Sequence, residues 1–392
     1  MLILSSAKRC WFSLLVSVML FGCQSTRTAN FSNQAPAILF YDQGFPEFLN
    51  HHIETEPEIF YLGAKAKQFV FDTIEPFDSE VDKAQALVHN LFDRSELNLL
   101  YQASANTVAN DTFLQRAANC LSMSIMTYAL AQEAGLNIKF QEVLIPEYWT
   151  RRDGYSFLNG HINLKYTPNV RNNTLSLGPR SFQIDFDPQA SRELFSKQII
   201  PKKAVIAMFY NNKGADALVE KHYSKAYAYF KQAALTYPRL NNTWINLGIL
   251  YRQNNYFDKA EKAYLKALDF EPNSLTAWEN LAYLYKHTDQ QEKAQEIIHK
   301  VKRKRSKNPY YHVSLGEQEI EQRNWSQALE HFKKALGLNK DMHEGYYGIA
   351  KVYYETGKLE KSARYLKLAK TKAVSDHDEE KYQSKMDFLS SL

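Results

Sequence analysis

The chain has 392 residues, with 48 Lys and Arg against 43 Asp and Glu, a formal net charge of +5 and only three cysteines. That length is enough for two or three domains. Both signs of charge are interspersed over most of it, which excludes the long basic field that nucleic-acid binding needs. No phosphate-binding glycine motif, Cys-x-x-Cys or His-Glu-x-x-His occurs, so no cofactor and no metal site is expected.

The first residues read as an export signal. Lys8 and Arg9 precede an apolar run from Trp11 to Phe21, too short to span a bilayer with ease. The run ends in Leu20-Phe21-Gly22-Cys23, which resembles a bacterial lipobox, although Phe21 is bulkier than usual at its position. The resemblance implies a signal peptide over 1–22, lipid on Cys23 and a polar tether over 23–34. Gln24 in place of Asp implies the periplasmic face of the outer membrane. With Cys10 and Cys23 assigned to the signal, Cys120 has no partner for an internal disulfide. Such a thiol is either buried and inert or kept for its chemistry.

Residues 35–200 alternate between helical and strand-like patterns. A helix is expected over Pro57–Ile74. Another is expected over Ser79–Asp93, with a Ser-x-x-Asp start and apolar Val81, Ala84, Leu87, Val88 and Leu91 at helical spacing. Cys120–Ala134 is apolar on all sides, as a fully buried helix is, and Gly135 suits its C-terminal cap. Strands are expected over Asn137–Ile145, His161–Thr167 and Ser181–Asp187, with a short run at Thr174–Leu177 and antiparallel connections. In the second, His161, Asn163 and Lys165 share the polar face; in the third, Gln183, Asp185 and Asp187 do. Trp149 falls in the loop between the first two strands, where packing or cleft-lining would employ it.

The order of elements is then a buried helix with Cys120 at its N-terminus, a strand, a strand bearing His161, and a strand bearing Asp185. Asn-Cys-Leu-Ser, Gly-His-Ile-Asn and Ile-Asp-Phe-Asp-Pro resemble the three motif blocks of the transglutaminase-like superfamily, within the papain-like group. The likeness runs from about 111 to 188 and implies an α+β domain, its Cys-bearing helix packed on an antiparallel sheet. It also implies a role for each residue. Cys120 is the nucleophile, His161 pairs with it and protonates the leaving group, and Asp185 orients the ring. The N–H of Cys120 helps bind the oxyanion, with Gln115 as a candidate second donor. Asp187 is the rival to Asp185.

A 34-residue period fills 207–376, with repeats starting at Ala207, Asn241, Leu275, Pro309 and His343. The second is clearest: Trp244, Leu247, Gly248 and Tyr251, then Ala260, Tyr264, Ala267 and Pro272. The others keep Gly214, Phe230 and Pro238; Trp278, Ala282 and Tyr285; Gly316, Phe332 and Ala335; Ala350, Leu366 and Ala369. The pattern resembles the tetratricopeptide repeat, an antiparallel helix pair that stacks into a superhelix. Residues 377–392 would form a tail or capping helix. The run Lys302-Arg303-Lys304-Arg305-Lys307 falls at a helix end, where cations suit the macrodipole, and is expected to be solvated. The six histidines from His222 to His343 show no ligand-like clustering.

Two readings stay open. One is a membrane-anchored cysteine enzyme that acts on a peptide or protein amide, with a protein or peptide partner held in the repeat groove. The other is a non-catalytic lipoprotein scaffold in which the repeats bind partners and the first domain is a relic. Bacterial lipoproteins that join a transglutaminase-like domain to such repeats form a group this chain resembles.

Overall fold

The computed structural model describes residues 39–92, 99–102, 105–152, 155–168, 181–186, 195–373 and 376–391. The expected signal and tether with Cys23, the short run at Thr174–Leu177, and Asp187 lie outside them. Among the described residues no helix is long and apolar enough to cross a membrane.

The first part of the chain folds into helices α1 (Glu56–Ile59), α2 (Ala64–Ile74), α3 (Glu80–Phe92), α4 (Ala109–Gln115) and α5 (Cys120–Glu133). The single helix expected over Pro57–Ile74 is two. Gly63 interrupts it, serving as the N-cap of α2 while its N–H donates to Asn110 Oδ1 at 2.9 Å. Ser79 takes the Asp82 N–H at the start of α3, as its Ser-x-x-Asp start suggests. Helix α5 is buried from Leu121 through Thr127 and again from Ala129 to Ala131. It ends before Gly135, whose φ of 72° suits glycine.

Two short strands, β1 (Leu100–Tyr101) and β2 (Ala117–Ala118), pair in parallel just before α5. The main sheet has four antiparallel strands in the order β5-β4-β3-β6: β3 Ile138–Arg152, β4 Tyr155–Tyr166, β5 Phe182–Ile184 and β6 Lys197–Ile199. The antiparallel connections are as expected, but β3 and β4 are longer, and Trp149 lies on β3 instead of in a loop. Strand β6 has three residues, too few to show a period. The expected third strand stops at Ile184, one residue short of Asp185.

From Lys202 onward the chain is helical. Ten helices form five antiparallel pairs: α6 (Lys202–Val219) with α7 (Tyr223–Thr236), α8 (Asn241–Gln253) with α9 (Phe257–Phe270), α10 (Leu275–His287) with α11 (Gln291–Arg305), α12 (Pro309–Glu321) with α13 (Trp325–Leu338), and α14 (His343–Glu355) with α15 (Leu359–Lys372). Every pair turns the same way. Lys221, Asn255, Asp289, Arg323 and Gly357, spaced by one repeat, have φ between 58° and 70°. The N–H of each following residue reaches a carbonyl five back at 2.8–2.9 Å, as from Tyr256 to Tyr251 and from Asn324 to Glu319, the C-capping geometry of a Schellman turn. A last helix, α16 (Asp376–Ser390), covers the end of the stack. Its Tyr382 is buried and bonds His343 Nδ1 at 2.7 Å.

Glycines at one equivalent position in three of the repeats face aromatic rings. A Cβ on Gly214, Gly248 or Gly316 would meet Phe230, Tyr264 or Phe332 closer than 3.0 Å. The fifth repeat instead pairs buried Ala350 with buried Leu366 at the same two positions. The small residue on the first helix therefore sets the ring that the second helix can carry.

The two parts of the chain share their interior. Val205, Ile206, Phe209 and Tyr210 of α6 lie in one cluster with Ile125, Met126 and Leu130 of α5 and with Phe140 and Leu164 of the sheet. The segment from Leu39 to Asn50 docks on the first two repeats. Phe45 stacks on Tyr227 at 4.7 Å. Tyr227 donates to Asp42 Oδ1 at 2.7 Å, and Tyr251 donates to the Leu39 carbonyl at 2.9 Å.

Gly248→Ala is expected to destabilise the array by roughly 1–3 kcal/mol through overpacking against Tyr264. Combined with Tyr264→Leu, the cost should be less than additive by about 1 kcal/mol. Urea unfolding of the two single variants and the double measures both.

Candidate active site

Cys120 stands at the first position of α5, half-buried. Asn119 caps the helix: its Oδ1 accepts the Ser122 N–H at 2.9 Å, while its Nδ2 donates to Asn106 Oδ1 at 2.5 Å. Asn106 in turn donates to Asp216 on α6. Ser122 is fixed as well, its Oγ accepting the Thr107 N–H at 2.9 Å. The turn that presents the thiol is thus braced by side chains from three segments, one of them in the first repeat. The helix offers no acceptor for the N–H groups of Cys120 and Leu121, which lie in its first turn.

His161 lies on β4 opposite Val143. The strand face that reads as polar in the sequence is covered, since His161 is 3% exposed and Asn163 is fully buried. His161 Nε2 is 2.7 Å from Asp185 Oδ1, and the ring is also hydrogen-bonded to Cys120. With Nε2 directed at Asp185, Nδ1 is the nitrogen left for the sulfur. Asp185 stands just beyond β5, where the Leu164–Ile184 register brings it alongside Asn163. Its second oxygen accepts from Asn163 Nδ2 at 2.8 Å. Both carboxylate oxygens are therefore occupied, and the ring is held from two sides.

Burial of the ring opposes its charge, but the bonds to Asp185 and Cys120 and the attraction of both groups outweigh that, and the His161 pKa is pushed up to about 10. An imidazolium is the partner that a nucleophilic sulfur requires and the acid that a leaving amine requires. The structure thus brings Cys120, His161 and Asp185 together. Gln115 ends α4 and is exposed. Trp149 lies at the repeats, where its ring meets Tyr311 at 6.2 Å.

Asn163 escaped the sequence reading as a partner of Asp185, although its place two residues after His161 puts it on the same strand face. The Asn106–Asn119–Asp216 chain had no local signal, because its members are distant in sequence. Among the described residues no group of three His, Cys, Asp or Glu side chains is placed to hold a metal.

Three tetratricopeptide-repeat family models match the chain, over residues 242–274, 263–296 and 319–383. The C-terminal half is a tetratricopeptide-repeat array. Solved structures that overlap it include the MamA protein, 17% identical over 42% of this chain and 91% of that one, with a TM-score of 0.24. YrrB, titled a TPR protein with an unusual peptide-binding site, is 14% identical over 44% of this chain and 89% of its own, with a TM-score of 0.25. Pseudomonas aeruginosa pilF is 16% identical over 44% and 79%, with a TM-score of 0.27. No curated protein matches the chain.

One stretch of this array departs from expectation. Arg305, expected at a solvated helix end, is 2% exposed and paired with Glu147 of β3 and Glu279 of α10. The neighbouring Lys302, Arg303 and Lys304 are exposed.

The raised His161 pKa fixes a sign. The stability it contributes is complete below the ordinary value of 6.5 and is lost as pH rises towards 10. The stability gap between the parent chain and Asp185→Asn should therefore narrow steadily from pH 7 to pH 10 in denaturant titrations. The His161 ring resonances should show the parent ring still protonated at pH 8.

Proposed function

We propose that this chain is a cysteine enzyme of the transglutaminase-like kind, acting on a peptide or protein amide through Cys120, His161 and Asp185. The observation that supports it is His161, held between a carboxylate at 2.7 Å and the Cys120 sulfur. In the first step the sulfur attacks the amide carbon. The developing oxyanion meets the N–H of Cys120, with Gln115 as the candidate second donor. The carbon–nitrogen bond breaks, and His161 passes its proton to the departing amine. A thioester remains on Cys120. Water or a second amine then attacks it, His161 takes the proton of the attacking group, and the thiol is restored. Asp185 holds the ring through both steps.

In the same proposal lipid on Cys23 anchors the protein at the periplasmic face of the outer membrane, and the repeats bind a protein or peptide, either substrate or partner. Thr276 and Tyr311, on the first helices of the third and fourth repeats, already contact Glu147 and Trp149 of this chain. That self-docking favours a second reading, a non-catalytic scaffold whose repeats hold strands and partners.

An electrophilic acyl probe separates the two. Cys120 should acquire a thioester, and Cys120→Ala and His161→Ala should abolish it. Labelling that survives both substitutions sinks the enzyme, and full complementation of a deletion by Cys120→Ala supports the scaffold. For the anchor, Cys23→Ser should move the protein from the membrane fraction to the soluble one.

A further inference from the structure

Strand β3 does not pair evenly with β4. Val143 faces His161 and Tyr148 faces Asn159, so the four residues Leu144–Glu147 stand opposite Gly160 alone. This is a bulge of four residues against one, and Pro146, with no N–H to donate, sits inside it. Beyond the bulge, residues 148–152 and 155–159 form a two-stranded arm. Gly160 is exposed, and nothing lies within 4 Å of where its side chain would be. A bare glycine opposite a bulge is a joint, and here it immediately precedes His161. A two-stranded ribbon by itself is marginally stable in water.

The arm is held by the repeats. Arg305 Nε and Nη2 donate to the two oxygens of Glu147 at 3.0 and 3.2 Å, and Nη1 donates to Glu279 at 2.6 Å. Thr276 Oγ1 donates to Glu147 at 3.2 Å and accepts from Arg305 Nη2 at 3.0 Å. The bulge leaves the Glu147 carbonyl outside the β3–β4 ladder, and Asn308 Nδ2 donates to it at 2.6 Å. The Arg305 guanidinium also lies 4.8 Å over the ring of Trp149, in the arm. A two-point ion pair with the arginine 2% exposed and four of its five N–H donors used is the geometry in which such a pair gives definite placement.

We propose that repeats three and four act as a clamp that positions His161: Glu147, gripped by Arg305, Thr276 and Asn308, immobilises the arm and with it the joint at Gly160. Glu147 and Arg305 are positioning residues, not catalytic ones. This rests on the reading of Cys120 and His161 as a reacting pair. Part of the first-helix face of the third and fourth repeats, at Thr276 and Tyr311, is then spent on the chain's own strand.

The test uses the full chain with two variants. Glu147→Gln removes the charge at constant shape. Asn308→Asp keeps the cap that Asn308 Oδ1 gives to Tyr310 N but loses the donor to the Glu147 carbonyl. Alkylation of Cys120 by iodoacetamide is followed from pH 5 to pH 9 on the Cys120 peptide by mass spectrometry, with His161→Ala as reference. Hydrogen exchange is read over 148–159 and over α5. The expected result is faster exchange in the arm, unchanged protection of α5, and alkylation at pH 6 lowered roughly 10- to 100-fold towards the His161→Ala profile. Faster arm exchange with an unaltered pH profile overturns the positioning role and leaves the enzyme reading intact, as does an arm that stays protected in both variants. Loss of α5 protection overturns the claim that the clamp acts through the arm. A parent profile identical to that of His161→Ala overturns the enzyme reading and the positioning role together.

Discussion

Helix α5 is apolar around its whole circumference, and an element of that kind must be covered on every side before it can be stable. The cover comes from α2, α4, strands β3 and β4, and α6, the first helix of the repeats. That last contact joins the two halves of the molecule. The repeat array completes the interior on which Cys120 is mounted, so the array cannot be read as a separate module on a tether. The polar side of the same joint is the line from Asp216 through Asn106 to the cap Asn119, which ties the start of α5 to the first repeat.

The sheet meets this helix with one buried titratable pair. His161 and Asp185 are both nearly removed from water, with side-chain exposures of 3% and 8%. A buried charge is tolerated when it is paired and its hydrogen bonds are made. Asp185 satisfies that with His161 on one oxygen and Asn163 on the other. The price of so much buried polarity is a site that depends on register, because shifting β4 by one residue would turn His161 to the opposite face. Further along the same two strands, the bulge, Gly160 and the Glu147–Arg305 pair break that regularity, and the repeats take over the support of the strands.

The features visible in the sequence were those with a local period or a fixed local partner. The 34-residue repeat placed the helix starts at Asn241, Leu275, Pro309 and His343, where the structure has them, because each repeat restates the same small and large residues at the same contacts. The α5 helix, its cap at Gly135 and the Ser79 start followed from composition and local turns. The alternation around His161 identified the strand and its polar face but not that the face is covered, since alternation reports polarity and not what packs on it. Strand β6 was too short for any period, and the break at Gly63 depends on Asn110, 47 residues away.

What the sequence by itself determined was therefore the longer periodic elements, the repeat stack and the three residues to watch, Cys120, His161 and Asp185. The elements and the stack follow from spacing that the backbone imposes over a few turns or one strand, and the three residues from the resemblance of their motif blocks. The tertiary structure alone decided which oxygen faces which ring nitrogen, that Asn163 completes Asp185, and that Arg305 leaves its basic run to grip Glu147. Those contacts join residues 22, 24 and 158 positions apart. Nothing in a local pattern encodes them, because they exist only once separate elements have packed together and excluded water from the charges between them.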